Sequence, residues 1–193
     1  MRFYRWMPLG DVGDSDRCFL DDTPEGLDGR SFHLAWGRPV KGLYPQDPRI
    51  YLGEEYPGLR LESFVGNTKS MLVVSSALRA LLEKWCQGLE VEYLPVHIYN
   101  HRKRLHSSDY SIINPLGTFD CLDQTASDVK RLGTEVIRLR RIVLSPEKLK
   151  SAPHLFRIPE DPTVYVVSEP LVKAIEAGGF TNVIFDELEI SGT

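Results

Sequence analysis

Val73-Val74-Ser75-Ser76-Ala77-Leu78, running on to Glu83, is echoed by Val166-Val167-Ser168-Glu169-Pro170-Leu171, running on to Glu176, 93 residues later. Each stretch reads as a strand that ends on a serine and passes into a helix. Met71-Leu72-Val73-Val74 is a short β-branched apolar run, as a buried strand requires. Leu78, Leu81, Leu82 and Trp85 then recur at three- and four-residue spacing, which predicts an amphipathic helix. Ser75 or Ser76 suits its cap, because a serine oxygen accepts the unpaired N–H groups of a first turn. Gly88 suits its end, since glycine takes the left-handed conformation cheaply. Val91, Tyr93, Leu94 and Val96 predict the next strand. In the second copy Val164–Val167 is the strand and Ser168 the cap. Pro170 sits in the first turn, where its missing N–H has no partner to lose. Leu171, Ala174 and Ile175 continue the helix, Gly178-Gly179 stops it, and Val183, Phe185 and Leu188 predict a strand. The spacing reads as an internal echo, although β–α–β grammar also reuses Val, Ser and Leu by chance.

Further strands are predicted between the echoes at Tyr110–Asn114, Val136–Leu144 and Leu155–Ile158. Val136–Leu144 alternates apolar residues with Arg138 and Arg140, which suits a sheet with one wet face. Ser145–Leu149 reads as a turn or a single helical turn. Residues 1–65 have a different texture, rich in Gly, Pro and Asp, with apolar runs at Phe3–Met7, Phe32–Trp36 and Leu59–Val65. They predict irregular strands joined by long loops. The expected fold is α+β, with a mixed, mainly antiparallel sheet and two helices from the repeated units on one side. Parallel α/β is the runner-up, since each unit suits a right-handed crossover. The expected organisation is a loop-rich strand region over 1–65 and an α+β domain over 66–193, with a single domain as the alternative.

The chain has 193 residues, net charge −4 and 42% hydrophobic residues, enough apolar surface to fold without staples. A nucleic-acid binder usually carries a basic excess, so none is expected as partner. Cys18, Cys86 and Cys121 are odd in number, widely spaced and without a CxxC pair, so reduced thiols are expected. Arg5 interrupts the only apolar run near the start, and no stretch reaches the ~20 apolar residues of a membrane span. These features predict a cytoplasmic protein with no membrane partner.

Few residues suggest chemistry. His97, His101 and His106 surround Arg102-Lys103-Arg104, whose cations repel a metal, so a solvated hairpin tip is expected and no metal or cofactor. Asp120 and Asp123, three residues apart, share a face if helical and could act as an acid–base pair, but a structural use is preferred. Cys121 with a distant histidine is the weaker nucleophile reading. Asp11, Asp14, Asp16, Asp21, Asp22, Glu25 and Asp28 make an acidic stretch offset only by Arg17 and Arg30. Such a stretch is either merely solvated or shaped to cover a basic surface by mimicking phosphate. No phosphate-binding glycine loop, GxSxG or HExxH is present.

The ordered series resembles a known family. It comprises Val-Val-Ser with its leucine helix, the strand near Tyr93–Ile98, Tyr110-x-Ile112-Ile113-Asn114-Pro115-Leu116, and Asp120-Cys121-Leu122-Asp123. Val143-Leu144, Leu155-Phe156-Arg157-Ile158 and Tyr165-Val166-Val167-Ser168-x-x-Leu171 complete it. Together these resemble the bacterial immunity-protein family numbered eleven, over residues 60–190. The resemblance implies a non-enzymatic protein, encoded beside a polymorphic toxin, that neutralises its cognate toxin by stoichiometric binding. It supplies no catalytic residues. The alternatives are a hydrolase or transferase using Asp120 and Asp123 with a histidine, and a scaffold module that self-associates. For the toxin-binding reading, the expected partner-binding residues are Trp6, Trp36 and Tyr44 as anchors, Asp21 and Asp22 as acidic contacts, and Arg102, Lys103 and Arg104 at the tip. Variable loops on a stable scaffold are where specificity resides.

Overall fold

Both echoes fold alike in the structure, a computed structural model that describes residues 1–27 and 29–192. Asp28, one of the acidic residues singled out above, lies outside the described residues. The elements in chain order are β1 (Phe3–Trp6), β2 (Phe19–Leu20), α1 (Phe32–Ala35), β3 (Arg49–Tyr51), β4 (Phe64–Asn67), β5 (Leu72–Ser75), α2 (Ser76–Trp85), β6 (Val91–Tyr99) and β7 (Leu105–Pro115). Then follow β8 (Asp128–Leu132), β9 (Glu135–Arg141), β10 (Val143–Leu144), β11 (Leu155–Ile158), β12 (Asp161–Ser168), α3 (Glu169–Ala177), β13 (Phe185–Glu187) and β14 (Glu189–Ile190). The class is α+β, and the pairings are mixed and mainly antiparallel. There are two main sheets, ordered β2-β4-β5-β7-β6-β3 and β11-β12-β1-β13, with two-stranded ribbons β8-β9 and β10-β14.

The echo extends to topology. β7 runs antiparallel to both β5 and β6, which are therefore parallel to each other and one strand apart. β1 takes the same place between β12 and β13. Each half is thus a hairpin, a helix and a return strand, with a gap filled by a strand from the other half. β7 opens the second half but completes the first sheet; β1 opens the first half but completes the second. The two filling strands run into Pro115-Leu116-Gly117 and Pro8-Leu9-Gly10, and both glycines take positive φ, +71° and +63°. The chain has exchanged its two opening strands across the molecule.

Strand alternation sorts the core into three clusters. Leu72, Val74, Ile113, Tyr165 and Val167 turn toward the space shared by both sheets. There they meet Leu78 and Leu82 of α2 and Leu171 and Ile175 of α3. Val73, Ile112, Leu94 and Val96 face the far side of the first sheet, under Cys18, Leu20, Leu27, Leu34, Val40, Ile50 and Leu52 of the N-terminal segment. Val164, Val166 and Phe156 face the far side of the second sheet, under Cys121, Leu122, Leu144 and Leu149. A covering segment therefore follows each Pro-Leu-Gly.

Four expectations need correction. Phe32–Trp36 is not a strand: Phe32 and Trp36 lie one helical turn apart, and only Leu34 of α1 is buried. Val136–Leu144 is not one strand but breaks at Ile142 into β9 and β10. Among the described residues β9 pairs only with β8, so its arginines stand on a ribbon rather than on the wet face of a sheet. Ser75 caps α2, accepting Leu78 N–H at 3.4 Å. Ser168 holds the equivalent place before α3, but its hydroxyl is spent on His154 Nδ1 at 2.7 Å. Trp6, expected at the surface, is 0% exposed between Phe64 and Phe185, because β1 is a central strand. Among the described residues no helix is long and apolar enough to cross a membrane.

Candidate functional site

The segment between Gly10 and Phe64 carries Asp21, Asp22, Trp36 and Tyr44, four of the eight residues expected to meet a partner. Its inward side chains seal the first sheet, which leaves polar and aromatic groups facing outward. The histidines near the β6–β7 tip clasp it. His97 Nδ1 lies 3.2 Å from Asp47, His101 Nε2 donates to the Gly53 and Tyr56 carbonyls, and His106 Nε2 donates to the Leu59 carbonyl at 2.9 Å. The three rings thus serve three separate stretches of backbone and side chain rather than one centre.

One end of this segment is acidic. Asp21 and Asp22 are exposed and line a groove of about 500 Å³ with Glu25, Glu54, Glu55 and Lys103. The tip residues Arg102, Lys103 and Arg104 are all exposed, and Asn100 Oδ1 ties down the N–H groups of Arg102 and Arg104. Tertiary packing therefore brings Asp21, Asp22 and Lys103, distant in sequence, to one groove. Asp11 and Asp14 have a different use. Asp14 binds Arg60, and Asp11 meets Arg17 at 2.6 Å. The Arg60 guanidinium and the Asp16 N–H hold the Asp14 carboxyl below the usual carboxylate range.

The other end is aromatic and cationic. Trp36 is 45% exposed and Phe32 41%, with ring centroids 5.4 Å apart in an edge arrangement. The Arg38 guanidinium lies 5.1 Å from the Trp36 ring and 5.7 Å from the Phe32 ring, within cation–π range. Tyr44, the third expected anchor, is half-buried and spends its hydroxyl on the Pro95 carbonyl at 2.9 Å.

Beneath the aromatic end lies Arg157 of β11, 0% exposed and, among the described residues, without a carboxylate partner. It donates to the carbonyls of Leu34 (2.7 Å), Ala35 (2.7 Å), Pro162 (2.6 Å) and Pro115 (3.1 Å). It also reaches Asn114 Oδ1 (3.3 Å) and the Tyr165 hydroxyl (2.6 Å). Asn114 in turn donates to Glu92 and to the Arg38 carbonyl, both at 3.0 Å. Glu92 accepts the N–H groups of Val40 and Lys41. Sequence reasoning missed this network, because an arginine in an apolar strand carries no mark of burial. It also missed Phe32 and Arg38, which the i, i+4 spacing of Phe32 and Trp36 signals once a helix is assumed.

The residues weighed for catalysis are engaged elsewhere. Asp120 binds Lys148 at 2.8 Å, and Asp123 accepts Thr125 Oγ1 at 2.7 Å and the Ala126 N–H at 3.1 Å. Hydrogen bonds from Thr125, Ser191 and the backbone hold Asp123 well below the usual carboxylate range. Burial pushes the Cys121 thiol up to about 12, so it is protonated at neutral pH and a poor nucleophile. Cys18 and Cys86 are likewise buried free thiols, pushed up to about 11.

Compared with known proteins, the chain is matched over residues 14–189 by one family model, described as the immunity protein family (Imm11). No curated protein matches it.

Proposed function

We propose that this chain, which belongs to the immunity protein family Imm11, binds a cognate bacterial toxin one-to-one in the cytoplasm and blocks it without catalysis. Family membership is the observation that carries this reading. The match spans the acidic groove, the hairpin tip and the aromatic end together. A stoichiometric inhibitor covers about 800 Å² of its partner, using a few aromatic or Arg anchors and complementary charge. Asp21 and Asp22 supply carboxylates suited to a basic toxin face, and such charges act mainly on the rate of encounter.

The test uses the toxin domain encoded beside this gene. Co-expression with the chain restores growth, and the purified pair elutes as a 1:1 complex. Asp21→Lys together with Asp22→Lys slows association at least about tenfold at low salt, with a smaller effect at high salt. Growth arrest despite co-expression, or turnover of the toxin's substrate analogue by the chain alone, refutes the reading.

A further inference from the structure

We propose that Phe32, Trp36 and Arg38 form a preorganised anchor for a carboxylate flanked by apolar surface on the partner protein. This rests on the reading that the chain captures a protein toxin, and it names the chemistry that one part of that toxin must present.

Three observations carry it. The first is composition. Residues 29–46 contain Arg30, Arg38 and Lys41 but no Asp or Glu, in a chain whose net charge is −4. Among the described residues none of these three cations has an ion-pair partner. The second is exposure: two large rings and a guanidinium stand together at the surface, the residue types that dominate binding hot spots.

The third is rigidity. Among the described residues Arg157 is a buried cation held by neutral acceptors alone, an arrangement that costs desolvation without an ion pair in return. Two of those acceptors, the Leu34 and Ala35 carbonyls, belong to α1. Gly37 sits directly over Arg157 with φ +63°, where a Cβ would lie 2.7 Å from Arg157 Cδ and 2.8 Å from the Pro115 oxygen. Its carbonyl accepts the Gly117 N–H at 2.9 Å. Asn114 and Glu92 hold the backbone of Arg38, Val40 and Lys41 from below. The loop carrying the rings is therefore fixed before any partner arrives. Fixed rings lose little freedom on binding, which is how preorganisation raises affinity.

A protein is favoured over nucleic acid because the acidic groove lies on the same covering segment and repels phosphate. Glu92 marks the aromatic end of β6, and Ile98, paired with Ile50, marks the acidic end. Six residues of strand separate them, about 20 Å. An interface of ordinary size is wide enough for both, and a partner that covers them would present an acidic group to the aromatic end and a basic patch to the groove.

The experiment titrates the toxin domain encoded beside this gene against the wild type, Trp36→Ala, Arg38→Gln and Phe32→Ala. All three side chains are at the surface, and unchanged urea midpoints confirm that each variant folds. Trp36→Ala is expected to weaken binding at least about 30-fold, and Arg38→Gln at least about tenfold. Wild-type binding with all three variants within about threefold overturns the anchor and leaves the toxin-binding reading standing. No binding by the wild type overturns both. Wild-type binding of a labelled single-stranded oligonucleotide, lost in Arg38→Gln, overturns the protein partner in favour of nucleic acid.

Discussion

Arg157→Met removes the buried cation while keeping an unbranched side chain in its place. The loss can be worked from the hydrogen bonds. Four carbonyls, those of Leu34, Ala35, Pro115 and Pro162, lose their arginine donor, as do Asn114 Oδ1 and the Tyr165 hydroxyl. A buried acceptor left without a partner costs about 1–3 kcal/mol. At the low end of that range the four buried acceptors, the Leu34 and Pro115 carbonyls, Asn114 Oδ1 and the Tyr165 hydroxyl, put the loss near ~4 kcal/mol, and removing a desolvated charge offsets only part of it. Urea unfolding at equilibrium measures it. With a slope of about 2 kcal/mol per molar, the midpoint falls by about 2 M. Arg157→Lys should recover less than half of the loss, because a point-like ammonium cannot reach acceptors spread around a planar fork. A midpoint within ~0.5 M of the wild type for Arg157→Met would contradict this account, since it would mean that the freed acceptors find water at no cost.

The two serines of the echo should behave differently: Ser75→Ala costs about 1 kcal/mol by urea unfolding through loss of a cap. Ser168→Ala instead frees His154 Nδ1, and a changed His154 side-chain NMR signal at fixed pH with no loss of α3 helicity is its expected mark. The Asp14 carboxyl is depressed in the folded chain, chiefly by its hydrogen bond from Arg60. Its contribution is therefore fully present above the unfolded value of about 3.9 and is lost as pH falls through the lowered folded value. Asp14→Asn should accordingly shallow the drop in urea midpoint between about pH 5 and pH 2, and an unchanged acid limb would count against the pairing. Cutting the chain at the β6–β7 tip, into 1–101 and 102–193, should give two fragments that are largely unfolded alone by circular dichroism. Mixed, they should regain structure as a 1:1 pair, because each sheet lacks its central strand without the other. A fragment that folds cooperatively by itself would contradict the strand exchange.

The local grammar is written in neighbouring residues. Val-Val-Ser followed by leucines at three- and four-residue spacing specifies a strand, a turn into helix and a buried stripe, since burial period and capping are properties of neighbouring residues. That is why β5–α2 and β12–α3 were legible, along with the class α+β and the family series. Everything set by partners far along the chain became visible only in the packed molecule. Nothing in Phe3–Trp6 announces a central strand, so Trp6 read as a surface anchor until β12 and β13 closed over it. Nothing in Leu155–Ile158 announces that its arginine is buried, because the acceptors come from residues 34, 35, 114, 115, 162 and 165. The acidic groove likewise exists only once Asp21 and Asp22 meet Lys103 across the edge of the first sheet. Side-chain periodicity is written in the chain, but which surfaces meet is written in the packing, and the candidate interface is made of such meetings.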